Sequence, residues 1–293
     1  MNNSQINDLG EKQLGQVRQA GWQGILNLVY ANHQGKTQVT DSYMKAPLKI
    51  QRPFYPEGET ICHSVVLHTA GGIVGGDRLA QNFHLRENAK ALITTAAASK
   101  IYRSNGNNAQ QTINIKVDND ACLEFIPQET IVFNQALYRQ DLTVELAPGA
   151  SFFGWEITRF GRSARGEKFL AGAWRSNTEV WQAGEPLWID RQCLFGSEEM
   201  FHSPNALKGY PLVGTLFWIG QPVSADAIAS ARNFWYNRKG EGEAGVTQIL
   251  NGLVCRYRGN STSEVRSWFI DVWHLLRLSY LGIPASKPRV WQL

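Results

Sequence analysis

Four absences bound this chain before any motif is considered. No apolar run is long enough to span a bilayer, and the first residues, MNNSQINDLGEKQ, hold no apolar core of the kind a secretory signal needs. Cysteine is sparse: Cys62, Cys122, Cys193 and Cys255 stand far apart, with no CxxC pair. That spacing excludes a disulfide framework and a closed thiolate metal site, and it fits buried thiols in a reducing compartment, so the cytoplasm is expected and no membrane. Charge is low at 18%, and the net charge is only +4. The basic residues are scattered apart from Arg159, Arg162, Arg165 and Lys168, so a nucleic-acid partner is not expected. The six histidines lie at 33, 63, 68, 84, 202 and 274. An odd separation along a strand sends His63 and His68 to opposite faces, and no closed metal site follows from the rest.

What is present is aromatic and alternating. Ten tryptophans supply large surfaces for a core or an interface. TINIKV sets Ile113, Ile115 and Val117 on one face, and LTVEL does the same with Leu142, Val144 and Leu146, the pattern of half-buried strands. LRENAKALITT, VDNDACLEFIP and LAPGASFFGWE each read strand, polar turn, alanine, apolar strand. The alanines are Ala89, Ala121 and Ala150, an interval of roughly 30 residues that suits one coil of a β-solenoid. The expected fold is mostly β, with β-helix or solenoid-like stacked sheets placed ahead of an ordinary sandwich, and two C-terminal α-helices. Residues 1–16 are expected to be a flexible lead-in, and 17–293 a single domain, β-rich over 20–223 and helical over 224–284. Ser224 caps the first helix, KGEGEAG (239–245) is a mobile loop, and Ser261 with Glu264 has capping-box spacing before the second. That second helix has a wide apolar face, either buried under the sheets or offered to a partner, with Trp268, Phe269 and Trp273 as partner-binding candidates.

HTAGGIVGGDRL, residues 68–79, has the glycines of a phosphate cradle: Gly71, Gly72, Gly75 and Gly76. A Walker loop needs Lys and then Ser or Thr where this chain has Asp77 and Arg78, and an aspartate there would repel phosphate. The residues that follow alternate like a strand. The glycines therefore read as a tight strand–loop–strand connection beside an acidic side chain. No GxSxG occurs. Glu124, Glu129, Asp141 and Glu156 leave open a β-solenoid or β-sandwich enzyme acting on polysaccharide or ester substrates. GWEITRFGRSARGEKFLAG, residues 154–172, places Arg162, Arg165 and Glu167 around two glycines. This is either an ion pair closing a loop or the lining of a polar patch or channel, where a carboxylate such as Glu167 or Asp77 could hold a divalent ion loosely.

LHTAGGIVGGDRL, ALITTAAASKIYRS, LEFIPQETIVFNQALYRQ, WEITRFGRSARGEKF and WIDRQ occur in that order. Together they resemble the UreD family of urease accessory proteins, also called UreH, closely over about residues 20–220 and more loosely in the C-terminal helices. The resemblance implies a non-enzymatic scaffold that helps insert nickel into apo-urease. It implies direct binding to UreF, contact with the GTPase UreG through UreF, and docking on apo-urease. It implies a β-helical fold with C-terminal helices near the UreF-facing surface, and tunnels that pass nickel transiently with no tightly bound cofactor. Asp77 and Glu167 are then the candidate residues along the nickel route.

Overall fold

A computed structural model describes residues 21–291, and the segment expected to be a flexible lead-in lies outside them. The alternating segments form strands that wind between two sheets. β4 (Ile61–His68) leads to β5 (Arg78–Leu85). β6 (Lys90–Thr95) and the short β7 (Ser99–Ile101) lead to β8 (Ala109–Val117). β9 (Cys122–Phe125) and β10 (Thr130–Val132) lead to β11 (Leu137–Leu146), and β12 (Ser151–Phe160) to β13 (Ala173–Gln182). Successive coils stack in parallel, β5–β8–β11–β13 in an outer sheet and β4–β6–β9–β12 in an inner one. This is the solenoid-like arrangement expected from the alanine echo.

The echo marks the turns where the chain passes from the outer sheet back to the inner one. Asn88, Asp120 and Gly149 precede the three alanines and adopt φ of 59°, 55° and 74°. Asn, Asp and Gly are the residues that accept this left-handed conformation at least strain. Ala89, Ala121 and Ala150 are fully buried, and they stack: Cys122 N–H donates to Ala89 O and Ser151 N–H to Ala121 O, both at 3.0 Å. A larger side chain would strike the next coil.

Antiparallel strands close both ends of the stack. β1 (Gln23–His33) runs parallel to β5 and pairs with β2 (Lys36–Lys45), while β3 (Leu48–Ile50) pairs with β4. At the far end β14 (Glu185–Phe195) borders β13, and a short α1 (Glu198–His202) follows it. β15 (Leu212–Ile219), β17 (Gly252–Gly259) and β16 (Glu243–Ile249) extend the inner sheet beyond β12. α2 (Ala225–Arg238) and α3 (Thr262–Tyr280) cover the inner sheet as a third layer. Ser224 Oγ and Ser261 Oγ accept from Ala227 N–H and Glu264 N–H, so both expected caps are in place.

Three expectations are corrected here. The stretch 224–284 is not helical throughout, because the β16–β17 hairpin separates the helices. Glu243 to Gly245 belong to β16 and not to a loop, since Lys208 and Arg258 both pair with Glu243 and hold the strand on the sheet. Trp268, Phe269 and Trp273 are each 0% exposed. They pack on Phe153 and Trp155 of the inner sheet and on one another, so they are core and not partner surface. Full burial of each large apolar side chain contributes about 1.5–3 kcal/mol, enough to make this face a layer of the fold.

Candidate functional site

The space between the two sheets is not uniformly apolar. Strand register sorts the inward side chains of the outer sheet into rows that run across the strands. One row is a dry core: Leu28, Phe83, Ile115, Val144 and Val180 stand side by side. Two rungs nearer the irregular loops, another row reads Gln111, Gln140, Ser176 and Gln192 on β8, β11, β13 and β14. The row between them contains Gln81, Thr178 and Asp190. The inner sheet answers with Glu156, Thr215 and Arg256, in register on β12, β15 and β17.

These groups bond across the gap. Glu156 accepts from Gln140 at 2.9 Å, Ser176 at 2.9 Å and Thr178 at 3.1 Å. Arg256 pairs with Asp190 at 2.7 Å and donates to Thr215 at 2.7 Å, while Gln192 donates to Asp190 at 2.8 Å. Burial pushes the Glu156 carboxyl up against these hydrogen bonds, and the nearby Asp190 adds to the rise. Gln111, Gln140, Glu156 and Gln192 keep accessible surface although they point between the sheets. Ser176, Thr178 and Thr215 between them are buried, so midway the two sheets meet through these hydrogen bonds.

The lane has a cavity at each end. At the β4–β5 end a recess of about 480 Å³ is lined by His68, Gly71, Gly72, Gln81, Lys100 and Gln111, among others. His68 Nε2 is buried there with no hydrogen-bond partner. Burial pushes the His68 imidazole down, partly opposed by Asp77, which favours the neutral ring with a free lone pair. At the other end Gln192, Thr215 and Arg256 line an open pocket of about 320 Å³ beside Glu243 and Arg258. Within the described residues no three His, Cys, Asp or Glu side chains converge as a metal cage.

The residues singled out in the sequence shape the mouth of this lane more than its walls. Asp77 is fully buried, and its two oxygens accept from Trp22 N–H at 2.8 Å and Val74 N–H at 2.9 Å, pinning the glycine loop. Three of the four glycines, Gly71, Gly72 and Gly76, have positive φ, and a Cβ on Gly72 would lie 2.2 Å from the Tyr102 ring. A Cβ on Gly75 would crowd Asn107 O and Ser104 Oγ, each at 2.7 Å. Arg78 is exposed and donates to Asn108 O at 2.7 Å. Glu167 is held by both arms of Arg162 at 2.8 Å and by the Arg162 N–H at 3.0 Å, so the ion pair closes its loop, and these bonds hold its carboxyl below the usual range. Arg165 stands exposed outside that pair. Three of the four carboxylates considered for glycosidase chemistry sit in separate ion pairs: Glu124 with Arg277, Glu129 with Arg266 and Asp141 with Arg139.

The family model described as UreD urease accessory protein matches residues 23–292. The chain belongs to the UreD family. It is 66% identical over 273 residues to the urease accessory protein UreD of Nostoc punctiforme, covering 93% of this chain and 97% of that one. It is 64% identical to UreD of Trichormus variabilis, covering 93% and 96%. The UreD of Synechocystis is 43% identical over 86% of this chain and 94% of its own.

This UreD chain also carries a buried charge cluster that sequence reasoning missed. Arg277 on α3 is 2% exposed and grips Glu124 with Nε at 2.7 Å and Nη2 at 2.8 Å. It also pairs with Glu57, which His63 Nε2 meets at 2.6 Å. Trp273 Nε1 donates to Glu124 at 2.6 Å. Burial works to raise the Glu57 carboxyl, but His63 and Arg277 together hold it below its usual value. The cluster clamps α3 to β4 and β9, where removing one partner would leave a buried charge uncompensated.

Proposed function

We propose that this UreD family member is a non-enzymatic scaffold that hands nickel to apo-urease, bound directly to a UreF partner and through it to the GTPase UreG, in the cytoplasm. The polar lane between the sheets is the route, and nickel passes along it as cargo. One observation carries this reading: Gln111, Gln140, Ser176 and Gln192 come from four different strands and fall into one polar row that begins at one cavity and ends at the other, two rungs from a row that is wholly apolar. Imidazole suits nickel, and amide, hydroxyl and carboxylate oxygens hold such ions far more loosely than thiolates do. Transit requires sites that release what they bind. His68 is the ligand best suited to receive the ion, and Glu156 the anionic step midway. Asp77 and Glu167 belong to the route as the groups that hold its mouth in shape, their own oxygens being occupied by backbone N–H groups and Arg162.

The test is to plug the lane without touching its surface. Gln111→Leu and Ser176→Leu place branched apolar side chains in the row. Urease activation should fall at least tenfold while co-purification with UreF is kept. Full activation by both variants would rule the lane out as the route.

A further inference from the structure

The turns at the two rims of the solenoid carry opposite charge. At the mouth of the lane, segments 69–78, 96–108, 127–136 and 161–172 lie one on another. Ile73 N–H donates to Lys100 O at 2.8 Å, Tyr102 N–H to Ile73 O at 2.9 Å, Phe133 N–H to Ile101 O at 2.9 Å and Gly161 N–H to Val132 O at 2.8 Å. Gly196 N–H donates to Gly172 O at 3.0 Å and adds a fifth segment, 196–211, with exposed Glu198 and Glu199; Arg78, Lys100, Arg103, Arg165 and Lys168 are exposed on the first four segments, which hold no exposed carboxylate. Their three acids are already engaged: Asp77 by two backbone N–H groups, Glu129 by Arg266 and Glu167 by Arg162. The opposite rim has one exposed cation on its turns, Arg86, against Glu87, Asp120 and Glu185, while Glu59 there is paired with Lys36.

Two further features separate this rim from a merely solvated one. Trp22 and Tyr102 are 51% and 37% exposed beside it, and the Arg162 guanidinium stacks 4.5 Å from the Phe133 ring. Arginine, tyrosine and tryptophan are the residues enriched at protein–protein hot spots. The loops are also already pinned by hydrogen bonds, so docking would order little that is not ordered already.

We propose that the cationic rim is a docking face for a protein surface rich in carboxylates, and that docking covers the mouth of the lane. Lys100 lines the recess beneath and stands exposed on the rim above it. Until an acidic surface neutralises them, the five cations repel a free divalent ion. Once covered, the same mouth admits one. The second clause rests on the nickel-route reading; the docking face does not.

The experiment uses the full chain in charge-reversed form. Arg103→Glu with Arg165→Glu is compared with Glu87→Lys and Asp120→Lys on the other rim, in binding to purified apo-urease and to the UreF partner at several salt concentrations. Reversal at the cationic rim should weaken binding to one of the two about tenfold or more and flatten its salt dependence, while the other pair leaves it unchanged. Melting temperatures of both double variants identify any that fail to fold, and Arg103→Gln with Arg165→Gln then takes the place of the reversal. Unchanged binding to both partners overturns the proposal. So does a rim that instead retains RNA or a second copy of this chain. Loss of docking with full urease activation in the presence of nickel would keep the docking face and sink the route.

Discussion

The two rims of this solenoid are made by different means. One turns in tight, repeated steps: left-handed residue, buried alanine, next coil. The other turns in long loops of unequal length, held by Asp77, Arg162–Glu167 and hydrogen bonds between neighbouring loops. The regular rim solves only the problem of reversing the chain. The irregular rim reverses the chain while presenting cations and opening a cavity beneath Gly71 and Gly72. Irregularity of that kind needs pins, and the acids there act as pins.

Three measurements press on this contrast. The largest effect belongs to Asp77→Ala, which leaves the N–H groups of Trp22 and Val74 without acceptors and should cost about 2–4 kcal/mol by denaturant unfolding. An unchanged midpoint would mean that the irregular rim does not depend on its pin. On the regular rim, Ala121→Leu should cost about 1–3 kcal/mol, because the added carbons have no room between coils. A neutral result there would undo the stacking account. The smallest effect is the acid response of the loop at 161–167. The Glu167 carboxyl is held below its usual value by Arg162. Its contribution is therefore complete above the ordinary glutamate range and is lost as the pH drops through the lowered value. Protease cutting at this loop should rise in that acidic window. Glu167→Gln should cut faster already at neutral pH and respond less to acid.

The regular rim was legible in the sequence because its signals are local. Asn88–Ala89, Asp120–Ala121 and Gly149–Ala150 each announce a turn and a stacked position within two residues. The helix caps at Ser224 and Ser261 were legible for the same reason. The lane was not. Gln111, Gln140, Ser176 and Gln192 look like ordinary polar residues in alternating strands, and only inter-strand register puts them in a row. Arg277 and Glu57 lie 220 residues apart, and no local pattern hints that they meet. His68 read as one scattered histidine among six. Its missing partner is visible only once Ile73 and Lys100 close over the recess. The aromatic face of α3 misled for a physical reason: an apolar stripe does not say whether it meets its own sheet or another molecule. Here the stripe meets Phe153 and Trp155 of its own sheet, and opening it would expose them, so it stays shut.

Because the lane runs across the strands, its length comes in whole strand spacings. From β8 to β14 it crosses three of them, roughly 14 Å at about 4.8 Å each. Antiparallel strands close both ends of the stack, so the number of coils is set. One extra coil, inserted at an alanine turn, would move the two cavities apart by a single spacing and leave each unchanged. The solenoid is thus a step gauge: the separation between its two cavities is a counted quantity, written in the chain as a number of coils.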